Sequence, residues 1–122
     1  NIAITTVSKE VVLQSSDFIS IHAAGSTEVL NAEDFSKMKQ GVGIINCARG
    51  GVIKEHVLLE NLNSGKVAFA GLDVYEEEPT KNAALLSHPK VSLTPHIGAS
   101  TKEAQERIGK EVVDIITAFF NA

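Results

Sequence analysis

Short apolar runs, too brief for helices, recur along this chain, and stretches with helical patterning separate them. The runs are Phe18-Ile19-Ser20-Ile21, Gly43-Ile44-Ile45-Asn46, Val67-Ala68-Phe69-Ala70-Gly71-Leu72 and Val91-Ser92-Leu93-Thr94. They read as apolar on both faces, the pattern of parallel strands covered by helices on both sides. Ser8 is placed to cap a helix through about Gln14, and Asn31 one through about Met38, with Gly41 just beyond. A third helix is predicted from about Lys54 to Asn63, stopping at Gly65, and a shorter one over Asn82 to Leu86. The last helix, about 101–120, has the clearest signature. Ser100 and Glu103 have capping-box spacing, and Ala104, Ile108, Val112, Ile115 and Phe119 make one apolar stripe.

Such alternation builds right-handed βαβ units, so the fold class is α/β with a doubly wound parallel sheet. Ligands of these sheets bind beyond the carboxyl ends of the strands. His22, Arg49, Asp73 and His96 all fall at or just past those ends, so topology and side-chain chemistry point to the same place.

Arg49 lies between Asn46-Cys47-Ala48 and Gly50-Gly51. Its planar guanidinium suits a carboxylate or a carbonyl; the alternative is a surface arginine in a glycine turn. Asp73 ends an apolar strand, and a buried carboxylate there needs a ligand amide or a backbone segment to accept from. Among Glu76, Glu77 and Glu78, the first two read as a solvated loop. Glu78 precedes Pro79, which holds it extended and gives its side chain a fixed direction. His96, in Thr94-Pro95-His96-Ile97-Gly98-Ala99, has the chemistry to move a proton near neutral pH, or else plugs a strand end. A neighbouring carboxylate would fix its ring. Small residues at Ala23-Ala24-Gly25, after His22, suit a flat group lying on the backbone. His56 and His88 read as structural or exposed.

Composition narrows the functional classes. The chain has 122 residues, 43% hydrophobic and 21% charged, enough for one domain. A net charge of −4 with no Lys/Arg patch argues against nucleic acid or an anionic membrane as partner. No apolar run approaches the roughly 20 residues of a membrane span, and no signal-peptide pattern occurs. Cys47 is the single cysteine, so no internal disulfide forms, which fits a cytoplasmic location. The four histidines and the cysteine lack HxxxH or CxxC spacing, which argues against metal, and no GxSxG marks a serine nucleophile.

Asn46-Cys47-Ala48-Arg49-Gly50-Gly51, Gly71-Leu72-Asp73-Val74-Tyr75 with Glu78-Pro79, and Thr94 through Gln105 resemble the motifs of the D-isomer-specific 2-hydroxyacid dehydrogenases. The resemblance spans about Ser8 to Ile116, and the last stretch favours the branch that oxidises D-3-phosphoglycerate for serine biosynthesis. It implies a Rossmann-type fold, NAD as cofactor and a small 2-hydroxy or 2-oxo acid as substrate. It also implies a homo-oligomer, dimer or tetramer. Arg49, Glu78 and His96 match the family's catalytic trio. Arg49 would hold the substrate carboxylate and carbonyl, His96 would take or give the hydroxyl proton, and Glu78 would orient His96 and favour its charged form. Asp73 matches the carboxylate that holds the nicotinamide carboxamide. Cys47 and Ala48 match residues beside the nicotinamide ring, and His22 and Ala23 match the adenosine side. His96 to Ala99, with Gly98, match the segment closing over the nicotinamide.

Two departures from the family pattern stand out. Ala24 replaces a usual proline, and the loop to Asn31 is shorter. No GxGxxG occurs in the chain, so the pyrophosphate loop and most of the substrate domain are expected upstream of Asn1. The chain opens directly in Ile2-Ala3-Ile4 and reads as the C-terminal half of an NAD-binding domain, inactive alone and prone to self-association. Related functions that fit the same motifs are an NAD-linked corepressor-like scaffold and a glyoxylate or hydroxypyruvate reductase.

Overall fold

A computed structural model describes residues 3–121. Asn1 and Ile2, the start of the apolar opening, lie outside the described residues. The strands are β1 (Phe18–Ile21), β2 (Val42–Asn46), β3 (Val67–Leu72) and β4 (Val91–Leu93). They form one sheet in the order β1-β2-β3-β4, every neighbouring pair parallel. The helices are α1 (Lys9–Ser15), α2 (Ala32–Lys37), α3 (Glu55–Asn63), α4 (Ala83–Leu86) and α5 (Lys102–Phe120).

The strand-end register aligns Ile21 with Asn46, Asn46 with Leu72, and Leu72 with Leu93. Backbone pairing then runs one residue further. Cys47, Asp73 and Thr94 donate their N–H groups to the carbonyls of Ile21, Asn46 and Leu72 at 3.3, 3.0 and 2.9 Å. The segments that leave the four strands therefore start from one line, each tied to its neighbour.

The same register separates the two faces of the sheet. Ile19, Ile44, Ala70 and Val91 share one face with Ile21, Asn46, Leu72 and Leu93. That face meets Leu13, Phe35, Leu58, Leu62 and Leu85 from α1 to α4 in a single core. Phe18, Gly43 and Phe69 lie in register on the other face, where the two rings pack 5.9 Å apart over Gly43. A Cβ at Gly43 would run into both rings. Phe18 remains 65% exposed, so this face is open. Helices on both sides were expected; among the described residues they cover one. Strand β2 alone is closed along its length, with Ile45 half-buried.

Helix starts follow side-chain chemistry. Ser8, Asn31 and Asn82 each accept from a first-turn backbone N–H, at Val11, Asp34 and Leu85. Asn31 and Asp34 form a reciprocal capping box, and Lys9 of α1 pairs with the buried Asp34 at 2.6 Å. One expectation needs correction. Helix α5 is capped by Thr101, whose hydroxyl accepts from Ala104 N–H. Ser100 instead closes a turn, donating its backbone N–H to Ile97. The stripe through Ile108, Val112, Ile115 and Phe119 is exposed, and α5 buries none of its residues.

Candidate active site

His96 lies just past β4 with φ of +54°, a left-handed conformation that costs a non-glycine residue about 1–3 kcal/mol. Bonds to the β3 exit hold the loop there. Asp73 is buried, and its Oδ1 accepts from Thr94 Oγ1 at 2.6 Å and from Ile97 N–H at 2.9 Å. Its Oδ2 accepts from Gly98 N–H at 2.8 Å. Gly98 comes so close that a Cβ would lie 2.9 Å from Oδ2. The Tyr75 hydroxyl donates to the Thr94 carbonyl at 2.6 Å. One carboxylate and one phenol thus fix the chain on both sides of the histidine.

Glu78 completes the group. Its Oε1 accepts from Tyr75 N–H at 3.1 Å, and its Oε2 meets His96 Nδ1 at 2.6 Å. An ionised carboxylate only accepts, so Nδ1 carries the proton and Nε2 is left for acid–base exchange. The hydrogen bond from His96, then that from the Tyr75 backbone, holds the Glu78 carboxyl below its usual range. Burial pushes the Asp73 carboxyl up, but the bonds from Thr94, Ile97 and Gly98 outweigh it, and Asp73 also titrates below its usual range. Both groups are therefore anionic at neutral pH. A cleft of about 600 Å³ opens beside the pair, bordered by Tyr75, Glu78, Pro79, Leu86, Leu93 and His96.

The other candidates stand along the same strand edge without touching this pair. Arg49 is exposed, and its Nη1 donates to the Ala48 carbonyl at 2.7 Å. Cys47 is exposed and Ala48 buried. His22 is exposed, with Nε2 2.8 Å from Ser20 Oγ, and Ala23 and Ala99 are exposed. Glu77 is a solvated side chain paired with Lys81. Glu76 is not the free loop residue expected. Its Oε1 accepts from Glu55 N–H at 2.6 Å, and its own N–H donates to Glu55 Oε1 at 3.0 Å. It supplies the start of α3 with the partner that Lys54 does not. The sequence reading also passed over Thr94 and Tyr75. Their place beside Asp73 and Pro95 was the available signal.

The residues fit the nicotinamide end of a dinucleotide. A carboxylate has about four acceptor positions, and Asp73 uses three, so Oδ2 retains one for an amide N–H. The small side chains of Ala23, Cys47 and Ala48 leave the strand ends approachable.

Residues 1–98 match the family model described as D-isomer specific 2-hydroxyacid dehydrogenase, NAD binding domain. The chain belongs to this family. It is 49% identical over 113 residues to D-3-phosphoglycerate dehydrogenase of Bacillus subtilis (strain 168), covering 90% of this chain and 22% of that protein. It is 45% identical to D-3-phosphoglycerate dehydrogenase 2, chloroplastic, of Arabidopsis thaliana, covering 94% of this chain and 19% of that one. Among solved structures, a glyoxylate reductase from Paecilomyes thermophila superposes with a TM-score of 0.82 at 40% identity, over 92% of this chain and 35% of that one. D-lactate dehydrogenase from Aquifex aeolicus, complexed with NAD and lactic acid, gives 0.76 at 32% identity, over 94% and 40%. The chain thus spans about a fifth of the length of these curated relatives.

Proposed function

We propose that these 122 residues are the C-terminal part of the NAD-binding domain of a dehydrogenase that oxidises D-3-phosphoglycerate to 3-phosphohydroxypyruvate, the entry to serine biosynthesis. The observation that carries the reading is the 2.6 Å contact of Glu78 with His96 in a loop pinned by Asp73. Identity of 45–49% to D-3-phosphoglycerate dehydrogenases supports the substrate. The open sheet face around Phe18 and the uncovered α5 support a segment that packs within a larger chain. The full-length enzyme is a cytoplasmic homo-oligomer, dimer or tetramer.

In this reading Arg49 binds the substrate carboxylate and orients the C2 oxygen. His96 Nε2 takes the hydroxyl proton as the C2–O bond gains double-bond character, and returns it in the reverse direction. Glu78 holds the ring by Nδ1 and balances the charge that His96 gains. Asp73 keeps the loop in place and offers its remaining acceptor position to the carboxamide. His22, Ala23, Cys47, Ala48, Gly98 and Ala99 border the cofactor. A bound NAD would supply the hydride-accepting chemistry for C2.

The superposition on a glyoxylate reductase favours a second substrate class, glyoxylate or hydroxypyruvate, for the same chemistry. Steady-state reduction by the full-length enzyme with NADH separates the two. A higher kcat/KM on 3-phosphohydroxypyruvate is expected; preference for glyoxylate would replace the substrate assignment, and no reduction of any 2-oxo acid would reject the enzymatic reading in favour of a binding scaffold.

A further inference from the structure

Asn46 is the last residue of β2 and is 3% exposed. A buried amide is costly unless both of its ends are bonded. Here both ends are spent on the next few residues. Oδ1 accepts from Ala48 N–H at 3.1 Å, and Nδ2 donates to the Arg49 carbonyl at 3.2 Å. The Asn46 backbone carbonyl accepts from Asp73 N–H, which fixes the amide relative to β3. At the far end of the loop, a Cβ on Gly50 would overlap the Tyr75 carbonyl oxygen, so this turn sits directly on the chain that carries Glu78.

The consequence is specific to one side chain. The Arg49 carbonyl is held by Asn46, and the next residue, Gly50, leaves no room for a side chain against the Tyr75 carbonyl, while Arg49 itself is exposed at the strand edge with its Nη1 on the Ala48 carbonyl. An apolar residue at position 46 would suit a core position but could not satisfy the N–H and the carbonyl of two adjacent residues. A hydroxyl is too short to span them. From this geometry we propose that Asn46 is the positioning residue for Arg49: it sets the distance of the guanidinium from the His96–Glu78 pair, and so the fit of the substrate carboxylate. This rests on the dehydrogenase reading above and adds a residue that does not itself touch substrate.

A double-mutant cycle in the full-length enzyme tests it, with kcat and KM for the 2-oxo acid measured at saturating NADH. Asn46→Ala is expected to lower kcat/KM roughly 10- to 100-fold, chiefly through KM, the scale of an ångström-level misplacement of a binding group. In an Arg49→Ala background the same change is expected to lower it less than about twofold, because residues acting through one another are not additive. Equal losses in both backgrounds would show that Asn46 acts on the fold rather than on Arg49, and would overturn the proposal. Should Asn46→Ala fail to fold, Asn46→Asp takes its place in the cycle. It is isosteric, keeps the acceptor for Ala48 N–H, and turns an oxygen toward the Arg49 carbonyl; the same non-additivity is expected, and wild-type kinetics would overturn the proposal. A wild-type enzyme that reduces no 2-oxo acid rejects the functional reading and this role with it, whereas an active enzyme with an additive cycle rejects this role alone.

Discussion

Asp73→Asn isolates the hydrogen bonds that hold the histidine loop. The substitution preserves shape and removes one acceptor oxygen and the charge. An asparagine oxygen can keep the bonds from Thr94 and Ile97. Its amide nitrogen then faces Gly98 N–H, donor against donor, where the carboxylate accepted at 2.8 Å. Losing one bond to a charged group in this buried position costs about 2 kcal/mol. Hydrogen exchange of the Gly98 amide reads this directly, and protection should fall roughly 30-fold at neutral pH. The pH dependence carries a sign. The folded carboxyl titrates below its unperturbed value of 3.8, so its stabilisation is fully present above that value and is lost as pH falls through the depressed one. Wild-type protection should therefore converge on that of the variant only below pH 3.8. With the loop loosened, His96 leaves its left-handed conformation and turnover falls as well. Unchanged Gly98 protection in Asp73→Asn at neutral pH would refute the reasoning.

Two further substitutions probe the surroundings. Glu78→Gln keeps an acceptor for Tyr75 N–H but loses the anionic partner of His96 Nδ1. Turnover should drop roughly 10- to 100-fold, as for a displaced reacting group, with melting temperature little changed. Because the Glu78 carboxyl is held below its unperturbed 4.5, the wild-type pair persists above that pH and is lost only as pH falls through the lowered value. An acid loss of turnover centred above 4.5 would have to arise from another group. Glu76→Ala removes the acceptor at the start of α3 and should lower stability by about 1 kcal/mol, the usual worth of a helix cap, with little effect on turnover; a melting curve and an initial-rate assay check both.

The strands were legible because their apolar runs are too short for helices, and each boundary fell within a residue of the expected one. The caps at Ser8 and Asn31 were legible because each side chain acts within three residues of its own position. At the start of α5 two adjacent hydroxyls, Ser100 and Thr101, compete. The choice is made by the turn that ties Ser100 to Ile97, which no local propensity encodes. Coverage of the sheet was misread for a similar reason: apolar residues on both faces say what a strand can bury, not which helices this stretch of chain supplies. The grouping at the strand ends was well marked, since Pro79 and Pro95 flag Glu78 and His96, and Asp73 at an apolar strand end announced a need for donors. What stayed hidden was long-range. Glu76 meets Glu55, 21 residues away, and nothing in the acidic run distinguishes it from Glu77.

Everything proposed for this segment converges on His96 as the group that moves the proton. His96→Ala in the full-length enzyme, with kcat for the 2-oxo acid and the NADH dissociation constant measured side by side, tests that most directly. The loop's backbone bonds to Asp73 do not require the imidazole, so NADH affinity should stay close to wild type. Turnover should fall about 100- to 10,000-fold, the contribution of a placed acid–base group. Turnover retained at the wild-type level would remove His96 from the reaction and contradict the account.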